Sequence, residues 1–244
     1  MTAIDLPAAT PSSRILNVVR LQFINTQTFV WVPALVLGGS WLITMAIYWI
    51  INAASDGAAG PMFGGGSQAP LWYFLAIGIQ AMTMSFPFSQ AMSLTRREFS
   101  LGSLAAASVS AAGMALVFVL LGLLEQATDG YGVNGWFAYL DWVWVAGPLA
   151  AWFIYFVASL LFFILGFWCA TIYKRWGTAA VTTALLAIAL VLLGFVAVVT
   201  LNEAWPGVWT WILDTGALGL AFWGALLAVV LAAGSYATLR RMPA

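Results

Sequence analysis

Apolar residues fall into six long blocks, at about residues 29–52, 71–94, 101–124, 146–173, 177–201 and 215–239. A helix crossing about 30 Å of hydrocarbon needs roughly 20 such residues, and each block meets that length. The polar breaks between the blocks are short. Asn52 to Pro70 is rich in Gly, Ala and Ser and holds Asp56 and Gly64-Gly65-Gly66. Thr95-Arg96-Arg97-Glu98 divides the second block from the third, and Glu125 to Asp141 forms a polar, aromatic loop. Lys174-Arg175-Trp176-Gly177 parts the fourth block from the fifth, and Asn202 to Asp214, with Pro206, parts the fifth from the sixth. The pattern predicts an all-α integral membrane protein of six transmembrane helices over residues 29–241.

Residues 1–28 read as a cytoplasmic tail and an interfacial helix, and 242–244 as a short cytoplasmic end. Within 13–27, Ile15, Leu16, Val19 and Phe23 share one arc of a helix, with Arg14, Asn17 and Asn25 roughly opposite. Gln22 and Thr26 interrupt the apolar arc. We read this stretch as a helix lying along the inner leaflet. Residues 1–12, with Pro7 and Pro11, read as a mobile tail. The N-terminal stretch lacks the basic, apolar and small-residue order of a cleavable signal.

Charge then orients the spans. All eight basic residues fall in alternate breaks: Arg14 and Arg20, Arg96 and Arg97, Lys174 and Arg175, Arg240 and Arg241. The other breaks hold Asp56, Glu125, Asp129, Asp141, Glu203 and Asp214. Cytoplasmic loops are the ones enriched in Lys and Arg, so both termini are expected in the cytoplasm. Trp49, Trp72, Trp136, Trp142, Trp144, Trp205, Trp209 and Trp211 gather toward the opposite face. They suit an interfacial belt, with ligand stacking as the other role open to each.

Composition narrows the functions. The chain is 64% hydrophobic and 7% charged, whereas a soluble domain carries about 25% charged residues. It has no histidine and one cysteine, Cys169. That removes the usual ligand for zinc or haem, the usual general base and any intramolecular disulfide, so no cofactor or metal is expected. The zero net charge suggests no nucleic-acid partner. No phosphate-binding Gly-x-x-x-x-Gly-Lys-Ser/Thr loop occurs. No charged residue lies inside a span away from its ends, which argues against a proton-coupled transporter. The chain is not expected to be an enzyme by itself.

The second span is the most polar, with Gln80, Thr83, Ser85, Ser89 and Gln90, and Pro87 should kink or break it. Gln80, Thr83, Ser85 and Gln90 are candidates to line a translocation path, joined by Ser40 and Thr44 of the first span. Interhelical hydrogen bonding and back-bonding to the helix are the structural alternatives. No internal repeat is visible. Gly224, Ala228 and Ala232 line one side of the sixth span, as close helix packing would require. The stretch from Ser93 to Ser100 serves either topology or docking, with Phe99 inserting into a partner and the charges steering it.

The order of an amphipathic N-terminal helix, six spans and cytoplasmic termini resembles a type-2 ABC exporter permease. The stretch Leu94-Thr95-Arg96-Arg97-Glu98-Phe99-Ser100-Leu101-Gly102 is similar to a Thr-Arg-Arg-x-Phe-x-x-Gly stretch of small actinobacterial permeases. The resemblance implies a separate ATP-binding cassette subunit, and a second permease copy or paralogue, as partners in the bacterial cytoplasmic membrane. Thr95, Arg96, Arg97, Glu98 and Phe99 would form the coupling helix that docks on the ATPase. Spans one, two and five would line the path, with the outer segment between spans five and six as a lid. That segment, Asn202 to Asp214, is short, which favours a lipid, drug or antimicrobial peptide over a bulky polysaccharide as cargo. Two other readings stand beside this one. A substrate-capture subunit of a vitamin-uptake transporter would show a well-formed outer pocket with specific polar groups. A membrane assembly protein would bind lipid or helices and transport nothing.

Overall fold

A computed structural model describes residues 11–24 and 26–241 of the chain. The architecture is all-α, with five helical stretches long and apolar enough to cross a membrane and one shorter apolar helix. The chain is a multi-pass membrane protein in kind. Helix α1 (Pro11–Ile24) leads through a π-helical turn, Gln27–Trp31, into α2 (Val32–Ala54). A two-residue strand β1 (Met62–Phe63) and a 3₁₀ turn precede α3 (Ala69–Gln80). A second π turn, Ala81–Ser85, joins α3 to α4 (Phe86–Ala91). Then come α5 (Arg96–Ala127), β2 (Gly135–Trp136), α6 (Asp141–Trp144), α7 (Pro148–Leu201) and α8 (Trp205–Arg240). Most of the expected tail, residues 1–10, lies outside the described residues, as do Asn25 and 242–244. The side chain of Arg14 is likewise outside them.

Two prolines explain the π turns at Gln27–Trp31 and Ala81–Ser85. Pro33 and Pro87 each sit two residues past such a turn. A proline has no N–H for the carbonyl four residues back, and its ring crowds that carbonyl. A wider turn relieves the crowding without ending the helix. The expected break at Pro87 is thus a change of winding within a continuous helical run. The freed carbonyls are those of Phe29 and Thr83, and each accepts from another helix. Ser110 Oγ of α5 donates to Phe29 O at 2.8 Å. Lys174 Nζ of α7 donates to Thr83 O at 3.4 Å.

The break between the fourth and fifth apolar blocks is a single residue. Gly177 interrupts α7 with φ 79° and ψ −174°, a conformation open essentially to glycine alone. A second interruption of the same kind, at Gly216 (φ 65°, ψ 171°), divides α8. The segment Asn202 to Asp214, expected as a loop, is therefore mostly helical from Trp205 onward, with Pro206 in its first turn. Proline suits that position because the N–H it lacks has no partner there.

Packing is tightest where α3 crosses α7. A Cβ on Gly78 would overlap the carbonyl oxygen of Phe163, and one on Gly166 would overlap that of Leu75. Two glycines on facing helices let the backbones touch, the usual device of membrane helix pairs. Ala228 is buried and Gly224 lies against Val157 and Leu161 of α7, in keeping with the packing expected of that stripe.

Helix α1 is more deeply engaged than an amphipathic helix lying on lipid. Val18 is fully buried, and its side chain fills the space a Cβ on Gly102 of α5 would need. Gln22, which interrupted the apolar arc, is only 2% exposed. Its Nε2 donates to Ser103 Oγ at 3.0 Å, and its Oε1 accepts from Ser85 Oγ at 3.0 Å. One side-chain amide thus ties α1 to the second and third apolar blocks.

Candidate functional site

Arg96, Arg175 and Arg240 converge at one end of the bundle. Arg96 Nη1 donates to the carbonyls of Leu239 (3.4 Å) and Arg240 (3.2 Å), and Arg175 Nη1 donates to Thr238 O at 3.3 Å. Cations at the C-terminal end of α8 satisfy carbonyls that the helix leaves unpaired and complement its dipole. The start of α5 thus contacts both the first and the last described helices, α1 through Gly102 and Ser103 and α8 through Arg96.

The stretch expected as a loop is the beginning of α5. Thr95 is its N-cap: Thr95 Oγ1 accepts from Glu98 N at 3.2 Å, and Thr95 N donates to Glu98 Oε2 at 2.8 Å. This reciprocal box satisfies two orphan donors, and it explains why a polar Thr-Arg-Arg-Glu run is helical. Phe99 is fully buried, edge-on to Phe86 with centroids 5.2 Å apart and stacked near Phe167 at 6.1 Å. Its ring anchors α5 inside the bundle, whereas the docking alternative had it insert into a partner. Arg97 and Thr95 are exposed.

Among the described residues, the candidate path residues have different immediate surroundings. Ser40 Oγ donates to Leu37 O (3.0 Å), Thr44 Oγ1 to Ser40 O (2.7 Å) and Thr83 Oγ1 to Ile79 O (2.9 Å). These three hydroxyls back-bond to their own helices. Gln80 and Ser85 line a small cavity of about 50 Å³ beside Gln22. Gln90 is exposed near the basic end, its Nε2 donating to Leu94 O at 3.3 Å. A larger apolar groove of about 570 Å³ runs between α2 and α5, walled by Phe29, Pro33, Leu37, Trp41, Gly113 and Leu121.

The opposite end holds a polar cluster built around Glu125. The sequence reading placed Glu125 in a loop. It lies in the last turn of α5 and is fully buried. Its carboxylate accepts backbone N–H groups from Phe137 (3.2 Å), Ala138 (3.0 Å) and Tyr139 (2.7 Å). Three successive amides aimed at one anion form a nest, which offsets the cost of burying the charge. Tyr131 OH donates to Glu125 Oε1 at 3.3 Å and accepts from Trp41 Nε1 at 3.1 Å. Burial, with a further push from the Glu125 charge, drives the Tyr131 hydroxyl up to about 12 despite the Trp41 bond. Tyr155 OH and Trp144 Nε1 both donate to Ala138 O, and Tyr48 OH donates to Trp136 O at 3.1 Å. Trp144, expected as an interfacial anchor, is thus a buried strut of this loop. Trp49, Trp72, Trp142, Trp209 and Trp211 are exposed, as anchors need to be.

Two loops join at this end. Strand β1 pairs in parallel with β2, placing Met62 opposite Gly135 and Phe63 opposite Trp136. A cleft of about 480 Å³ opens beside the pair. Among the described residues, no three His, Cys, Asp or Glu side chains gather as a metal-binding group. Comparison of the chain with protein-family models, curated proteins and solved structures finds no match.

Proposed function

We propose that this chain is the membrane-spanning permease subunit of an ATP-driven exporter of the type-2 ABC kind, moving a hydrophobic or amphipathic cargo across a bacterial cytoplasmic membrane. In this reading the two arms of α7, on either side of Gly177, are separate crossings, which makes six. The basic end faces the cytoplasm by the positive-inside rule and carries both termini. A separate subunit hydrolyses ATP, and a second copy or a paralogue completes the path.

The observation that carries the reading is the start of α5. A capped, charged helical turn with Arg97 exposed sits at the basic end, braced by α1 on one side and the end of α8 on the other. Force applied there reaches the bundle through the buried Phe99 and Gln22. The apolar groove between α2 and α5 supports a lipid-like cargo.

The test is purification of the detergent-solubilised protein from native membranes, assayed for vanadate-sensitive ATP hydrolysis beside an Arg97→Glu variant. Arg97 is the residue to change, because Arg96 also holds the end of α8. ATPase activity that accompanies the wild type and is lost from a folded Arg97→Glu protein is the expected result. A monodisperse wild type that brings no ATPase refutes the proposal.

One observation favours the substrate-capture reading: the outer cleft beside β1 and β2 is a formed pocket with polar groups. Tight binding of a small vitamin by the isolated chain would select it.

A further inference from the structure

The cleft at the acidic end has a lining that suits one kind of ligand. Phe63, Trp136, Tyr139 and Asp141 surround it, with Gln126 and Asn134. The β1–β2 register sets Phe63 beside Trp136. The Trp136 and Tyr139 rings lie 5.1 Å apart between centroids, inclined at 49°. Neither ring is buried, Phe63 is more than half exposed, and Asp141 is exposed. These surfaces are therefore open to a ligand.

The frame behind them is stiff. Tyr139 donates its N–H to Glu125, Trp136 gives its carbonyl to Tyr48, and Trp136 Nε1 donates to Asn134 Oδ1 at 3.3 Å. Inclined aromatic faces on a fixed frame present negative quadrupoles to a shared space, and cations bind such faces. The charge is of the matching sign. Asp141 is the one ionisable carboxylate among the lining residues, and the cleft has no lysine or arginine in its lining. None of the segments 52–70, 125–147 and 202–216 contains a basic residue, so the chain supplies no cation of its own there.

We infer that this cleft binds an organic ammonium group, held over the Trp136, Tyr139 and Phe63 rings with Asp141 as counter-charge. The volume of about 480 Å³ fits a small ammonium compound or a single headgroup. The site goes beyond the function proposed above and holds whether or not an ATPase partners the chain.

The experiment is calorimetric titration of the purified protein, in a detergent free of ammonium groups, with choline and with its neutral carbon isostere 3,3-dimethyl-1-butanol. Choline is expected to bind at least about tenfold more tightly than the isostere, and Asp141→Asn and Trp136→Leu are each expected to weaken it by about tenfold. Trp136→Phe should retain most of the affinity, because a ring remains. Melting midpoints of all variants are compared with the wild type, and Asp141→Asn, on an exposed side chain, keeps the test alive if a Trp136 variant does not fold. Equal affinity for choline and the isostere, or choline binding indifferent to both Asp141→Asn and Trp136→Leu, overturns the inference. Repeating the titration in nanodiscs of phosphatidylglycerol, with and without phosphatidylethanolamine, separates the sources. Weaker choline binding in the mixed discs assigns a lipid headgroup, and unchanged binding assigns a soluble ammonium compound.

Discussion

The pairing of a proline with a donor from a neighbouring helix makes a double-mutant cycle decisive. Ser110 Oγ donates to Phe29 O, the carbonyl that Pro33 leaves without its usual N–H. Replacing Ser110 with Ala removes the donor and leaves that carbonyl with one partner fewer inside the bundle. A buried acceptor left unsatisfied costs about 1–3 kcal/mol, against about 0.5–1.5 kcal/mol for the net worth of an ordinary hydrogen bond. The half-buried setting argues for the lower part of the range, about 1–2 kcal/mol. For a chain of this size that is a fall of roughly 2–8 °C in melting midpoint. Pro33→Ala restores an N–H at position 33 that can return to Phe29 O, so the donor from α5 becomes redundant. In the Pro33→Ala background, Ser110→Ala should therefore cost less than about 0.5 kcal/mol, and the coupling between the sites should be about 1 kcal/mol. The assay is thermal unfolding of the four proteins in one detergent, followed by intrinsic fluorescence. If Ser110→Ala costs the same in both backgrounds, the carbonyl is not what the hydroxyl serves, and the account of the π turns is wrong.

The same logic applies more weakly to Lys174 and Pro87, because that bond is exposed: Lys174→Met should lower the melting midpoint by about 1–2 °C, and Pro87→Ala should largely abolish that loss, as the same scan would report. Glu125→Ala orphans three backbone donors at about 1 kcal/mol or more each, a loss of about 3 kcal/mol; limited proteolysis should then cut within residues 128–140, which stay protected in the wild type. Tyr131 supplies a pH test. Its folded-state pKa of about 12 lies above the ordinary value near 10. The protonated hydroxyl therefore contributes stability that is fully present below about pH 10 and is lost as pH rises through about 12. Tyr131→Phe should flatten that part of the stability profile, measured as melting midpoint against pH. Gly166→Ala places a methyl group against the Leu75 carbonyl, and overpacking of that kind costs about 1–3 kcal/mol; a midpoint equal to the wild type would contradict the α3–α7 crossing.

The membrane class of the chain was legible in one dimension, because lipid as a solvent acts on every residue of a span alike. A run of some twenty apolar residues needs no partner to declare itself. The alternation of basic and acidic breaks was legible for the same reason, since loop charge is a local property. The start of α5 was half legible: Thr95 and Glu98 stand three apart, the spacing of a capping box, yet the stretch read as a loop because its charges outweighed that signal. Gly177 showed as a break, but Gly216 did not, because a lone glycine in an apolar helix carries no mark of its φ.

The remaining features were decided by the tertiary structure, because each is a relation between residues far apart in the chain. Gln22 reads as a flaw in an amphipathic arc until Ser85 and Ser103 arrive on either side of it. Glu125 reads as one more outer-loop acid until residues 137–139 fold back and aim three amides at it. Gly78 and Gly166 gain meaning only where two helices cross. Pro33 announces a missing bond, but only packing decides that Ser110 completes it. Burial in lipid is dictated residue by residue, while the satisfaction of polar groups inside the bundle is pairwise, and pairs are set by the fold.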